Sequence, residues 1–316
     1  MRRLHSSSVH VPGWPRVVAQ CIRKLIVAAF VDSIVAHPFA FEAVLFAASL
    51  VAGLVGAVLG IGGAMLIIPL LTLVFDVPLR HAVGVSIVSI IATSSGAAAA
   101  FVRDRLTNVR VAVVLEVATA SGAVLGALIA GYFPERWLYA LFAVLVVWSA
   151  LAMLRHRNDE PIDPAASDRW AKVLALPGRY PDAVLGREVA YGVTGVPGAL
   201  VLMTIAGLAA GLLGIGSGAL KVPAMDRWMR LPIKVSSATS NFMIGVTASA
   251  AAGVYFLRGD VVPLLAAPVA LGVLVGSWLG SRLLVRTSSR ALRVAFVVFL
   301  LFVAVQLVTK AVRGAS

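Results

Sequence analysis

The chain has 316 residues, 60% of them hydrophobic and only 13% charged, with 27 Lys and Arg against 14 Asp and Glu for a net charge of +13. Soluble folds average about 45–50% apolar and about 25% charged residues, so this chain has too little polar surface to cover itself as a soluble enzyme, and it is equally unlike a disordered or fibrous protein. Its one cysteine, Cys21, excludes an intrachain disulfide or a cysteine-rich metal site.

Residues 1–38 carry Arg2, Arg3, Arg16, Arg23 and Lys24, and their weak apolar stretch is broken by Asp32. They read as a basic tail on the inner leaflet rather than a cleaved leader. A first membrane unit follows over 39–154. Its apolar segments are Phe39–Leu59, Ala64–Phe75 across a glycine break, Ala82–Val102, Val111–Tyr132 and Trp137–Leu154. A polar linker over 155–188 holds Pro161, Pro164, Pro177 and Pro181. The second membrane unit, 189–316, has Val189–Leu213, Ala219–Met225 after another glycine break, Val235–Leu257, Val261–Leu284 and Ala291–Val312. In lipid each segment must be helical, because unpaired backbone groups there cost several kcal/mol. The basic residues lie in short loops between these runs, where they orient the chain and form no face for nucleic acid.

An offset of 154 residues superposes the two units without a gap. Gly53 falls on Gly207, Gly60 and Gly62 on Gly214 and Gly216, Pro69 on Pro223, Pro78 on Pro232, Ser86 on Ser240, and Gly122 and Gly126 on Gly276 and Gly280. Two related halves, each with an interrupted apolar segment at the same place, are the pointer to a secondary transporter whose site lies where the interruptions face each other. The basic loops of the second half (Asp226–Lys234 and Arg282–Arg290) are equivalent to the sparse loops of the first, so the halves are expected to be inverted. The expected fold is all-α: a polytopic transmembrane bundle of two inverted repeats, each with a glycine-broken first helix.

The breaks are Gly60-Ile-Gly62-Gly63 and Gly214-Ile-Gly216-Ser217-Gly218. Each Gly weakens a helix by about 1 kcal/mol, so such clusters unwind the chain. The helix that restarts beyond points free N–H groups and a positive dipole end into a low-dielectric site, which suits an anion. Gly53, Gly56, Gly207 and Gly211 read instead as close helix packing. Met65 stands where a dinucleotide fingerprint needs glycine, no Lys follows for a phosphate loop, and all five His fall in tails or loops. No catalytic, cofactor or metal residues are therefore expected.

Lys221 lies one turn past the second break. A charge at mid-membrane is functional by default, and it either neutralises an anion or snorkels to the interface. Ser86 on one helix and Thr239, Ser240 and Asn241 on its equivalent supply donors for an oxyanion. Glu116, the one acid well inside a first-half apolar run, reads as a proton-coupling site, a partner to a buried cation, or one end of a salt bridge near the interface. The expected substrate-binding set is Gly60, Gly62, Gly63, Ser86, Gly214, Gly216, Ser217, Gly218, Lys221, Thr239, Ser240 and Asn241.

Gly60-Ile-Gly-Gly-Ala followed by Pro69, Ala82-Val-Gly-Val-Ser, Ala238-Thr-Ser-Asn-Phe and Arg258-Gly-Asp-Val-Val-Pro together resemble the TauE/SafE sulfite exporter family of membrane permeases, over about residues 41–312. Ser217 departs from Gly63 of the first half and makes the two half-sites unequal. The resemblance implies an inner-membrane carrier of sulfite, sulfonates or other small organic anions, without cofactor. Its partners are the anionic solute, the bilayer and a coupling proton or sodium ion. A passive anion channel or a non-transporting scaffold are the alternatives.

Overall fold

The computed structural model describes residues 38–134 and 162–313, apart from 76 and 215, with scattered positions between 137 and 151. The basic tail expected over 1–38 lies outside the described residues but for Pro38. The chain divides into two compact units, Met1–Glu42 and Ala43–Ser316, and the membrane body is the second.

The protein is mostly helical. Helix α1 (Pro38–Leu59) stops at the first glycine break. The chain restarts as α2 (Ala64–Pro69), which runs into a wide turn over Leu70–Val74. Helices α3 (Leu79–Arg103) and α4 (Val109–Ala130) follow. Beyond the linker come α6 (Val196–Leu213), α7 (Gly218–Pro223) with its wide turn Ala224–Trp228, α8 (Ile233–Leu257), α9 (Pro263–Arg286) and α10 (Ser289–Arg313). Among the described residues six of these (α1, α3, α4, α6, α8 and α9) are long and apolar enough to cross a membrane.

Element bounds recur at the 154-residue offset: α2 and α7, their wide turns, and α3 and α8 match end for end. The local causes recur too. Pro69 and Pro223 have no N–H to donate, and the ladder slips into the wider turn directly after each. Pro78 and Pro232 precede α3 and α8 with nearly the same backbone (φ −53°, ψ 140° and φ −54°, ψ 138°). Small residues let helices cross closely, as in other membrane bundles. A Cβ on Gly276 or Gly280 would lie 1.9 or 2.5 Å from the carbonyls of Leu50 or Leu54 on α1. One on Gly122 or Gly126 would lie 2.4 or 2.2 Å from those of Thr204 or Leu208 on α6. Each half thus packs its third long helix on the first helix of the other.

Helices α3 and α8 run antiparallel. Arg80 and His81, at the start of α3, meet Asp260 just past the end of α8; Arg80 pairs with its carboxylate at 3.1 Å. Thr107 and Asn108, just past the end of α3, meet Ala238 and Thr239 near the start of α8. Since α3 and α8 occupy equivalent places in their halves, this is the arrangement an inverted repeat requires.

The linker holds structure that its polarity does not announce. Its described part forms a turn at Pro164–Ala166, a short helix α5 (Arg169–Val173) capped by Asp168, and an antiparallel hairpin of β1 (Gly178–Asp182) and β2 (Arg187–Tyr191). Strand β2 runs past the linker boundary expected at 188, so the next membrane helix begins at Val196 rather than Val189. Gly195, at φ +69°, turns the chain into it. Asp182 receives Lys234 Nζ of α8 at 3.0 Å, and both side chains are buried. Burial pushes the Asp182 carboxyl up, but the Lys234 ammonium and the N–H groups of Val184 and Leu185 outweigh it and hold the carboxyl below its usual range.

A carboxyl depressed in the folded state adds stability above its unfolded pKa, and that stability is lost as pH falls through the folded value. Asp182→Asn is therefore expected to lower the unfolding free energy at neutral pH by about 3 kcal/mol, since it leaves Lys234 buried without a counter-charge. The gap to wild type should close in acid. Thermal unfolding in detergent across pH checks both points.

Candidate functional site

The two glycine breaks meet midway along the membrane helices. Gly60, Gly62, Gly214 and Gly216 all have φ between +62° and +73°, a conformation that ends α1 and α6 and that L side chains rarely adopt. A Cβ on Gly218 would lie 2.4 Å from Ile61 Cα and 2.5 Å from the Gly60 carbonyl. One on Gly62 would meet Ile244 of α8, and one on Gly216 would meet Ile90 of α3. Ile90 and Ile244 lie near the centre of 25-residue helices. At 1.5 Å per residue such helices exceed a hydrocarbon core of about 30 Å, so the contact lies near mid-depth.

The hydroxyls expected to face a solute are largely spent on the breaks themselves. Ser86 Oγ donates to the Gly214 carbonyl, and its equivalent Ser240 Oγ donates to the Gly60 carbonyl at 2.6 Å. Asn241 Nδ2 donates to the carbonyls of Ala57 (2.7 Å) and Ser237 (3.0 Å). Thr239 Oγ1 accepts the Asn108 N–H at 3.0 Å, which places it at the α3–α4 turn and away from the breaks. The reason is general: an unwound segment leaves carbonyls without helical partners, and buried carbonyls must be satisfied. Ser86, Ser240 and Asn241 are thus clasps between halves. Ser86→Ala and Ser240→Ala should each cost about 1–2 kcal/mol, and nearly equal amounts because the two contacts are equivalent. Thermal unfolding of each variant and of the pair checks this.

Two polar atoms at the breaks remain unspent among the described residues: Ser217 Oγ and Asn241 Oδ1 are buried without a hydrogen-bond partner. The first-half equivalent of Ser217, Gly63, bonds instead through its N–H to Thr93 Oγ1 at 3.4 Å.

Lys221 does not snorkel. It is fully buried, with Nζ 3.0 Å from Glu116 Oε2 on α4 and 2.6 Å from Thr247 Oγ1 on α8. Thr247 in turn donates to Glu116 Oε1 and so bridges the pair. The Lys221 charge is therefore already matched, which revises its reading as an unpaired cation waiting for an anion. Glu116 is the partner of this buried cation. Thr247 escapes a sequence reading because one threonine in an apolar run carries no signal. Only its equivalence to Thr93 and its position seven residues after Ser240, on the same helix face, point to it.

A small cavity of about 10 Å³ lies against the second break, room for about one water. Gly214, Gly216, Ile87, Ile90, Ala123 and Thr247 are among its lining residues. Thr247 brings the ion pair to the edge of a wall that is otherwise apolar.

A family model described as sulfite exporter TauE/SafE matches residues 45–307. A relative from Bacillus subtilis (strain 168) named probable membrane transporter protein YunE is 26% identical over 247 residues, covering 76% of this chain and 86% of its own length. A second from the same organism, probable membrane transporter protein YdhB, is 25% identical over 239 residues, covering 76% of this chain and 87% of its own. No solved structure matches the chain.

Proposed function

Because the chain belongs to the TauE/SafE family and is a membrane transporter of that family, we propose that it carries small anions of the sulfite or sulfonate type across a bacterial inner membrane by alternating access. The meeting of the two broken segments carries this reading. Peptide dipoles from both halves converge there, near mid-depth, beside two unspent polar atoms of the second half, Ser217 Oγ and Asn241 Oδ1. The first turns of α2 and α7 bring N–H groups that a helix cannot satisfy internally. Ser217 adds a hydroxyl with no protein partner among the described residues. The substrate set on this reading is Gly60, Gly62, Gly63, Gly214, Gly216, Ser217 and Gly218, with Lys221 acting through the Glu116 pair.

Alternating access needs two parts that can rock about a fixed centre. The antiparallel placement of α3 and α8 and the reciprocal packing of α1 on α9 and of α4 on α6 supply equivalent contacts on the two sides.

Counterflow into proteoliposomes with sulfite, ethanesulfonate, sulfoacetate and acetate, under imposed pH and sodium gradients, tests the reading. Saturable exchange of the sulfur oxyanions is expected. Non-saturating flux would mark a channel, and no flux of any of these anions would remove the anion reading.

A further inference from the structure

We propose that Lys221, Glu116 and Thr247 form a proton–anion cotransport site, resting on the transport reading above: an entering monoanion takes Glu116's place beside Lys221, and Glu116 takes up one proton. The asymmetry of the repeat is the first support. At the equivalent positions of the other half stand Ile67, Ala270 and Thr93. Only the threonine is shared, and Ile67 is as fully buried as Lys221. The fold thus packs this location with apolar side chains when it needs only packing. Replacing a buried ion pair by apolar side chains is often neutral or stabilising, so an ion pair kept on one side alone is not explained by packing.

Location is the second support. Thr247 hydrogen-bonds both charges and also lines the cavity beside Gly214 and Gly216. A solute in an enlarged form of that cavity would reach Lys221 by displacing one hydroxyl contact. Few other charges bear on the pair. Helix α6, packed along α4, has no ionisable side chain. On α4 the other charge is Arg110, at the surface on the Ala175 carbonyl. On α8, Lys234 is held by Asp182, and Tyr255 donates its hydroxyl to the Gly211 carbonyl. On α3, Arg80, His81 and Arg103 lie at the helix ends, and Asp226 and Arg227 lie in the wide turn after α7.

Charge balance then sets the stoichiometry. With no anion, ammonium and carboxylate cancel. With an anion bound, they cancel only if the carboxylate is protonated. Anion without proton leaves two negative charges on one ammonium, and proton without anion leaves the ammonium uncompensated in a low-dielectric site. Anion and proton therefore bind with positive linkage. Release on the far side returns the proton to water and restores the pair. One proton moves with each monoanion, with no net charge transferred.

Glu116→Gln in proteoliposomes tests this with ethanesulfonate, whose own charge does not titrate near neutrality. The amide mimics the protonated carboxyl, so the variant should still bind and exchange ethanesulfonate, at an altered rate, while that exchange no longer responds to a proton gradient. An inward proton gradient of about one pH unit should drive roughly tenfold accumulation in wild type and none in the variant. Undiminished accumulation by Glu116→Gln, or loss of exchange by a folded Glu116→Gln, overturns the proposal. Absence of wild-type exchange with ethanesulfonate, sulfite and sulfoacetate alike overturns the transport reading and this proposal with it. Should the variant fail to fold, proton uptake by solubilised wild type on adding ethanesulfonate decides: about one proton per bound anion supports the site, and none overturns it.

Discussion

Gly218→Ala is expected to abolish exchange and to lower stability by about 3 kcal/mol, the upper end of what one added methyl group costs in a packed interior. The new carbon would sit 2.4 Å from Ile61 Cα and 2.5 Å from the Gly60 carbonyl. Both are backbone atoms, so no side chain can rotate away and the two broken segments must separate. Ser240 then loses its geometry, because the carbonyl it clasps belongs to Gly60. Gly216→Ala should behave differently. Its neighbour is the flexible end of Ile90 at 3.2 Å, and the main cost is the left-handed backbone at φ +69°, about 1–2 kcal/mol. Gly253 of α8 has nothing within 4 Å of the added carbon. Alanine there should be neutral or stabilise by up to about 1 kcal/mol. Thermal unfolding in detergent and counterflow, measured on all three, give the ranking. A Gly218→Ala protein indistinguishable from Gly253→Ala would mean that the breaks do not touch in the working carrier.

What could be read from the sequence were the features encoded by a residue's own backbone. The glycine clusters and Pro69, Pro78, Pro223 and Pro232 act on their own segment, so the segment ends they predict lie within a few residues of the structural ones. The exception is Val189, read as helix because the strand Arg187–Tyr191 joins an apolar run and five residues are too few to show their alternation. Side-chain direction was not legible. Ser86, Ser240 and Asn241 lie beside the breaks, but a hydroxyl or amide beside an unwound segment serves equally to hold a bare carbonyl or to face a solute. Satisfying the carbonyl is obligatory in a membrane, so it came first. Thr239 was drawn to the α3–α4 turn, which cannot be known before α3 and α8 are seen to be antiparallel. The Lys221–Glu116 contact joins residues 105 apart on different halves. Composition names both as costly in lipid but does not say that each offsets the other.

Lys221→Met and Glu116→Gln, singly and together, should show strong coupling. Lys221→Met leaves the Glu116 carboxylate buried with Thr247 as its remaining partner, and the expected loss is about 3–5 kcal/mol at neutral pH. Glu116→Gln leaves the ammonium uncompensated, with a loss of similar size. The double variant carries no buried charge and approaches the apolar arrangement already present at Ile67 and Ala270, so it should return to within about 1–2 kcal/mol of wild type. The coupling is then several kcal/mol, and additive losses would show that the two residues do not share a site. Function should follow a different order from stability. Lys221→Met and the double variant remove the cation that receives the solute and should both lose exchange, whereas Glu116→Gln keeps it. Ethanesulfonate should therefore stabilise Glu116→Gln more than wild type, because there the anion supplies the missing counter-charge without first displacing a carboxylate. A larger ligand-induced rise in melting temperature for wild type than for Glu116→Gln would contradict an exchange of partners at Lys221.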